Sequence, residues 1–392
     1  MNKKIESWVF AHYGSEFYHP GLERIKAALS SIKDDLASSK IVIIAGTNGK
    51  GETTHRLAEL LAEDRFCAWT SPHIHSICER FSSSSGNIAE EELWDLIRTT
   101  HEIVQKNNYQ LSYYEFLFFV FCRWSVKLKP DYLLLEVGLG GRLDAVNSFD
   151  ADIVLLTSIS RDHQEFLGHR YDQILMEKLG VVRKKSKLFT YFDLNYLKAK
   201  TAFFSKGLEC THVDLNESFE TPAYAFSLRN QILAYAAFCE LKKLPLTPSG
   251  WIPSKTDLFG RGEIINSDHE WWLYGSHNVD GMRKLIQFLK SKNYNLTEKP
   301  FDLILTSFSK RNETDLRVML KMLKGSQLGK VVVTSFDHPK AYPAFELKEK
   351  ALQEGLNFVE NISEIVQGRT NQKILVVGSY YFLGIIKSLF RI

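Results

Sequence analysis

The segment best suited to chemistry is Gly46-Thr47-Asn48-Gly49-Lys50-Gly51, followed by Glu52-Thr53-Thr54. It follows the apolar run Ile41–Ala45 and precedes a helical pattern reaching about Glu63. Its glycines let backbone N–H groups converge on a phosphate. The helix N-terminus adds about half a positive charge, and Lys50 can reach the terminal phosphates. A strand before the loop and a helix after it are what a phosphate loop requires, and this context disfavours an idle glycine-rich turn. A second group is Leu135-Glu136-Val137-Gly138-Leu139-Gly140-Gly141-Arg142-Leu143-Asp144-Ala145. A carboxylate at a strand's C-terminal end, followed by glycines, suits Mg²⁺ and an approaching substrate. Alone it is equally a solvated residue. The run Ile153–Ser158 leads to Asp162-His163, where a lone histidine is more often structural than a ligand. Thr70-Ser71-Pro72-His73 could present the Ser71 hydroxyl to a metal, although a simple turn accounts for it.

Positioning these groups calls for parallel strands. Ile41–Ala45, Tyr132–Val137 and Ile153–Ser158 read as strands of a first domain, and Phe301–Thr306, Lys330–Ser335 and Lys373–Gly378 as strands of a second. Helical patterns such as Glu90–Asn107 and Met282–Lys292 lie between them. Near-continuous apolar strands alternating with amphipathic helices predict an α/β fold with a parallel sheet covered on both faces. Ligands in such sheets sit at the C-terminal strand ends. Pro245, Pro248, Gly250, Pro253, Gly260 and Gly262 cluster at the boundary, which falls near Pro253–Gly262. The four serines Ser82–Ser85 read as a loop.

A length of 392 residues exceeds one ordinary core and favours two domains. Net charge is +3, and the densest basic cluster is Arg183-Lys184-Lys185, so nucleic acid is not expected as a partner. Five cysteines at 67, 78, 122, 210 and 239 form no Cys-x-x-Cys pair, which fits a reducing cytoplasm. The early lysines have no apolar stretch behind them, so no signal peptide is read. The greasiest run, Phe116–Phe121, falls far short of the ~20 residues of a membrane span and reads as a buried core helix.

Together these segments resemble the folylpolyglutamate synthase/dihydrofolate synthase family of the Mur-ligase superfamily. Gly21-Leu22-Glu23-Arg24, Ala45–Gly51, Thr70–His73, Ser112-Tyr113-Tyr114-Glu115-Phe116, Glu136–Ala145 and Asp162-His163 with Glu165-Phe166-Leu167-Gly168 follow in family order. After them come Glu177-Lys178-Leu179-Gly180, Asn230, Gly260-Arg261, Gly275 with His277-Asn278, and Gly378–Gly384. The ordered set covers nearly the whole chain. It implies an ATP-binding P-loop-type domain of the Mur-ligase kind over 1–254, with a parallel sheet and flanking helices. A linker over 255–262 and a smaller Rossmann-like glutamate-ligase domain over 263–392 follow.

The resemblance also implies chemistry. ATP phosphorylates a carboxylate of a pteroate or folate, and the amine of glutamate displaces phosphate to leave an amide. Ser71 and Glu136 would help hold Mg²⁺, and His163 would hold a second ion. Lys178 matches a lysine that the family often carries as a carbamate, and as such it could ligand Mg²⁺. Thr47, Asn48, Gly49, Lys50, Gly51, Glu52, Thr53, Asn230 and Arg261 match the nucleotide site. His277 matches a position near the phosphates, and Lys50, His163, Lys178 and His277 are the expected catalytic set. Ser112, Tyr113, Tyr114, Glu115, Leu143, Asp144 and Ala145 match the pterin side. Small-molecule substrates, no nucleic acid, no membrane and a monomer are expected.

Several residues depart from the family. Glu52 stands where a Ser or Thr hydroxyl usually touches Mg²⁺, and Thr53 could substitute for it after a small register shift. Tyr274 stands where an Asp usually contacts the nucleotide. Arg161 replaces an apolar residue, and Val279 replaces the usual Pro. These motivate an alternative, a degenerate non-catalytic relative that binds folate, nucleotide or a partner protein.

Overall fold

The computed structural model describes residues 2–14, 20–222, 225–254, 258–265, 270–292, 300–363, 365 and 372–390. They fall into two units, Met1–Ser254 and Lys255–Ile392. In the first unit an eight-stranded sheet comprises β1 (Lys40–Ala45), β2 (Phe66–Trp69), β3 (Phe81–Ser83), β4 (Gly86–Asn87), β5 (Tyr132–Glu136), β6 (Ile153–Leu156), β7 (Lys187–Thr190) and β8 (Thr211–Asp214). The order is β4-β3-β2-β5-β1-β6-β7-β8. The β3–β2 and β3–β4 pairs are antiparallel, and the other pairs are parallel.

Side chains of the central strands divide with the two-residue period of a strand. Ile41, Ile43, Ala45, Leu133, Leu135, Val154 and Leu156 enter one buried cluster, while Val42, Ile44, Leu134, Ile153 and Leu155 enter another. Burial on both faces is why these runs are continuously apolar. Helices α1 (Asn2–Tyr13), α2 (Glu23–Leu29), α3 (Lys50–Leu60), α4 (Glu90–Lys106), α5 (Tyr113–Leu128), α6 (Gln164–Leu167), α7 (Tyr171–Leu179), α8 (Asn195–Gly207) and α9 (Phe226–Lys242) complete the unit. The run Phe116–Phe121 lies inside α5 and is buried throughout, with Phe118 and Phe121 against Trp69. No described helix is long and apolar enough to cross a membrane.

The second unit has a six-stranded sheet of β9 (Arg261–Ile265), β10 (Trp271–Tyr274), β11 (Leu303–Ser307), β12 (Lys330–Thr334), β13 (Asn357–Val359) and β14 (Ile374–Gly378), in the order β13-β12-β11-β14-β10-β9. Only the β9–β10 pair is antiparallel. Ile374 and Val376 face one cluster, and Leu375 and Val377 the other. Its helices are α10 (Val279–Ser291), α11 (Glu313–Gly325), α12 (Ala344–Gln353) and α13 (Tyr380–Leu389). Helix α10 starts three residues before the sequence pattern suggests, because the Asn278 side chain caps it and accepts the Gly281 N–H at 2.9 Å. Within the expected linker, 255–257 lie outside the described residues. Arg261 already pairs with Tyr274 in the β9–β10 ladder.

Candidate active site

The phosphate loop leaves β1 through Gly46, whose φ of 145° and position against Thr157 exclude any side chain. A Cβ there would lie 1.9 Å from Thr157 Oγ1. The loop is seated on the residues after β6. Thr47 N–H donates to Ser158 O at 2.8 Å, Asn48 N–H to Ser158 Oγ at 2.9 Å, and Thr157 Oγ1–H to Asn48 O at 2.7 Å. Ser160 N–H donates to Thr47 Oγ1 at 3.1 Å. Gly49, with φ 95°, is the N-cap of α3. Lys50 Nζ reaches the carbonyls of Gly46 and Thr47 at 3.2 Å each. Thr53 is fully buried, and its Oγ1 has no hydrogen-bond partner among the described residues.

Three further elements bring chemistry to this loop. At the end of β5, Glu136 is buried and accepts the Ser71 N–H at 3.1 Å. A Cβ on Gly51 would lie 3.6 Å from Glu136 Oε2, so the glycine leaves the carboxylate facing the first turn of α3. From α7, the buried Lys178 donates from Nζ to Gly46 O at 2.9 Å. Burial, and next the charge of Lys50, pull the Lys178 amine down to about 7. Glu52 turns away from Glu136 and toward α9, where Asn230 and Ser227 donate to its carboxylate.

The glycine-rich loop after β5 packs on the end of α7. A Cβ on Gly141 would come 2.9 Å from Glu177 O, and Arg142 N–H donates to that same carbonyl at 2.8 Å. Asp144 lies buried beneath the loop. It accepts from Leu139 N–H at 3.0 Å, Val146 N–H at 3.1 Å and the Tyr114 hydroxyl at 3.3 Å. That hydroxyl in turn accepts from Trp69 Nε1 at 3.0 Å and Gly138 N–H at 3.1 Å. Burial pushes the Asp144 carboxyl up to about 6, against the hydrogen bonds from the loop amides. Ser112 and Glu115 form a capping box at the start of α5, and Glu115 also bridges to Arg24. Tyr113 is a core side chain, Ala145 is buried and Leu143 is half-buried.

His163 is the member of the expected set that stands most open. Its side chain is 52% exposed, its backbone is left-handed, and Nδ1 is 4.0 Å from Glu165 Oε1. Among the described residues no group of three or more His, Cys, Asp or Glu is placed to hold a metal ion. In the second unit, Arg261 and His277 flank the ring of Tyr380, at 5.3 Å and 5.7 Å. Gly275 makes room for that ring, since a Cβ there would lie 2.1 Å from it. Tyr274 is a core residue whose hydroxyl lies beneath Gly262. Arg161 lies over the ring of Tyr171 at 5.5 Å.

Sequence reasoning overlooked Thr157, Ser158 and Ser160, which seat the loop, and Tyr380, which gathers Arg261 and His277. For the first three the signal was present, because a hydroxyl-rich stretch directly after a parallel strand lies where ligand loops lie.

No family model matches the chain. The chain is 25% identical over 416 residues, 94% of each sequence, to the dihydrofolate synthase/folylpolyglutamate synthase of Bacillus subtilis (strain 168). Among solved structures, Mycobacterium tuberculosis folylpolyglutamate synthase complexed with ADP and AMPPCP matches with a TM-score of 0.83 at 21% identity, over 99% of this chain and 98% of that one. A bifunctional folylpolyglutamate synthase/dihydrofolate synthase with Mn, AMPPNP and L-glutamate bound matches with a TM-score of 0.80 at 22% identity, again over 99% and 98% of the two chains. At these identities the structural matches carry the fold.

Proposed function

Because the chain belongs to the folylpolyglutamate synthase/dihydrofolate synthase family, we propose that it is an ATP-dependent ligase joining glutamate to a pteroate or folate carboxylate. The observation that carries this reading is the convergence of Lys50 and Lys178 on the Gly46 carbonyl, at 3.2 and 2.9 Å, within a phosphate loop that faces buried Glu136. The alternative of a non-catalytic relative rested on Glu52 and Tyr274. Both are accommodated by their surroundings, one against α9 and the other in the core of the second unit.

The reaction runs in two displacements. A carboxylate oxygen of the pteroate or folate attacks the γ-phosphorus of ATP, the bond to the β–γ bridging oxygen breaks, and ADP leaves an acyl phosphate. The glutamate amine then attacks the acyl carbon, the carbon–oxygen bond to phosphate breaks, and the nitrogen loses a proton. The protein contributes position and charge. N–H groups of Gly49 to Gly51 at the N-terminus of α3 cradle the phosphates, while those of Thr47 and Asn48 hold the loop on Ser158, and Lys50 neutralises the transferring group. Asn230 supports the loop from behind Gly49, and the roles of Arg261 toward the nucleotide and of His277 toward the phosphates are carried over from the resemblance. On the pterin side, half-buried Ser112, Tyr114 and Leu143 would face the substrate, with Tyr113, Glu115, Asp144 and Ala145 buried behind them.

Glu136 and Ser71 offer the hard oxygens that Mg²⁺ prefers, on a face that Gly51 keeps clear. These two would hold one Mg²⁺, with His163 and a carbamylated Lys178 serving a second, and bound Mg²⁺ supplies charge neutralisation at the phosphates. Carbamylation adds the neutral Lys178 amine to CO₂, forming a nitrogen–carbon bond and releasing one proton. It replaces a buried neutral amine with an anion. The five cysteines are free and four are buried, which supports the reading of a reducing compartment; a monomer is proposed with it.

A coupled assay for ADP tests the reading, with dihydropteroate or tetrahydrofolate, glutamate and MgATP. ADP release that requires both co-substrates is expected. Absence of substrate-dependent release with every pairing overturns it.

A further inference from the structure

Successive residues of a helix point about 100° apart. Gly51 faces Glu136, so Glu52 is turned to another side of α3, toward α9. Its carboxylate, in a residue 3% exposed, accepts from Asn230 Nδ2 at 2.7 Å and from the Ser227 hydroxyl. Asn230 is itself buried and pressed against the loop. A Cβ on Gly49 would lie 2.4 Å from Asn230 Oδ1. Gly49 is the left-handed residue at which the loop becomes helix. Glu52, Asn230 and Gly49 therefore form a continuous stack from the first turn of α3, through α9, and back to the loop.

We propose that Glu52 is a positioning residue, which holds Asn230 against Gly49 and so keeps the phosphate loop in its nucleotide-receiving shape. The proposal rests on the phosphate-loop reading above. A buried carboxylate is sustainable there because neutral donors satisfy it and the N-terminal end of the α3 dipole favours negative charge. The same geometry argues against a metal ligand, because the residue facing Glu136 is 51 and not 52.

The test separates nucleotide binding from metal binding. Full-length wild type, Glu52→Ala, Glu52→Gln, Asn230→Ala and the Glu52→Ala/Asn230→Ala double variant are titrated calorimetrically with ADP in excess EDTA. Mg²⁺ activation of ADP release is measured separately. Glu52→Ala and Asn230→Ala are each expected to weaken metal-free ADP binding about tenfold or more, the scale of a hydrogen bond to a charged group. The double variant is expected to lose no more than the worse single variant, since both act through one contact. Glu52→Gln keeps the shape and one acceptor, and should bind ADP within about threefold of wild type. The midpoint of Mg²⁺ activation should stay where it is. Unchanged ADP binding in Glu52→Ala together with a raised Mg²⁺ midpoint overturns the proposal, and so do additive losses in the double variant. Should Glu52→Ala fail to fold, wild-type ADP affinity in Asn230→Ala overturns it instead. A wild-type chain that binds no ADP sinks the phosphate-loop reading along with it.

Discussion

Lys178 Nζ donates to the carbonyl oxygen of Gly46 at 2.9 Å, and the same oxygen accepts from Lys50 Nζ at 3.2 Å. Burial, and next the charge of Lys50 on the same oxygen, leave Lys178 poorly able to keep its proton, which pulls its amine down to about 7. Only the neutral amine reacts with CO₂. Supplying ¹³C-bicarbonate should therefore give a carbamate resonance in wild type that Lys178→Met lacks. Ligase activity should fall when CO₂ is stripped, and fall further as the pH drops below about 7. A wild-type spectrum without that resonance, in an enzyme fully active without CO₂, would refute the carbamate.

The same lysine leaves a mark on stability. In the unfolded chain it titrates near 10.5, and in the folded chain at about 7. Between these values the unfolded chain binds the extra proton, so stability rises with pH across that window. The cost of burying the charge is fully present below about 7. In CO₂-depleted buffer, Lys178→Met should therefore raise the melting temperature most near pH 6 and least near pH 10, both approximate limits of the window. A pH-independent difference would contradict this.

Two neighbouring glycines should answer an alanine in opposite directions. At Gly51 the new Cβ would sit 3.6 Å from Glu136 Oε2, an ordinary contact inside a helix. Gly51→Ala should stabilise the fold by about 0.5–1 kcal/mol through backbone entropy. Gly49 has φ 95°, and its Cβ would meet Asn230 at 2.4 Å. Gly49→Ala should cost more than about 1 kcal/mol, since the strain exceeds any entropic gain. Urea denaturation of the two variants checks both signs.

Asp144 is the shared acceptor of a buried turn. Asp144→Ala strands the Leu139 and Val146 amides and the Tyr114 hydroxyl together. A loss of about 2–4 kcal/mol is expected, at about 1–3 kcal/mol for each buried donor left without a partner and with partial relaxation. Asp144→Asn, which keeps one carbonyl oxygen, should lose less. Urea midpoints for the pair test the ranking.

The strands around the site were legible because burial on both faces makes them continuous apolar runs, and the phosphate loop was legible because its glycines follow such a run directly. Strand ends were less so. Thr157 and Ser158 continue the sequence pattern of β6, yet turn aside to seat Thr47 and Asn48. The direction of Glu52 was hidden for a different reason. Its partners are Ser227 and Asn230, more than 170 positions away in sequence, and only the packing of α3 on α9 brings them together. Ser112 and Glu115 are the reverse case, since the Ser-x-x-Glu spacing of their capping box is readable from the sequence alone.

The seat of the phosphate loop also bears on how the chain is made. Asn48 lies 109 positions from Thr157 and 110 from Ser158, and Thr47 lies 113 from Ser160. During synthesis the loop emerges long before the residues that shape it, and β1 likewise waits for both of its neighbours. Closing so large a loop costs entropy before any contact repays it, and contacts of long sequence separation form slowly. The contacts that seat Gly46 to Gly51 therefore cannot form until the residues after β6 have been delivered.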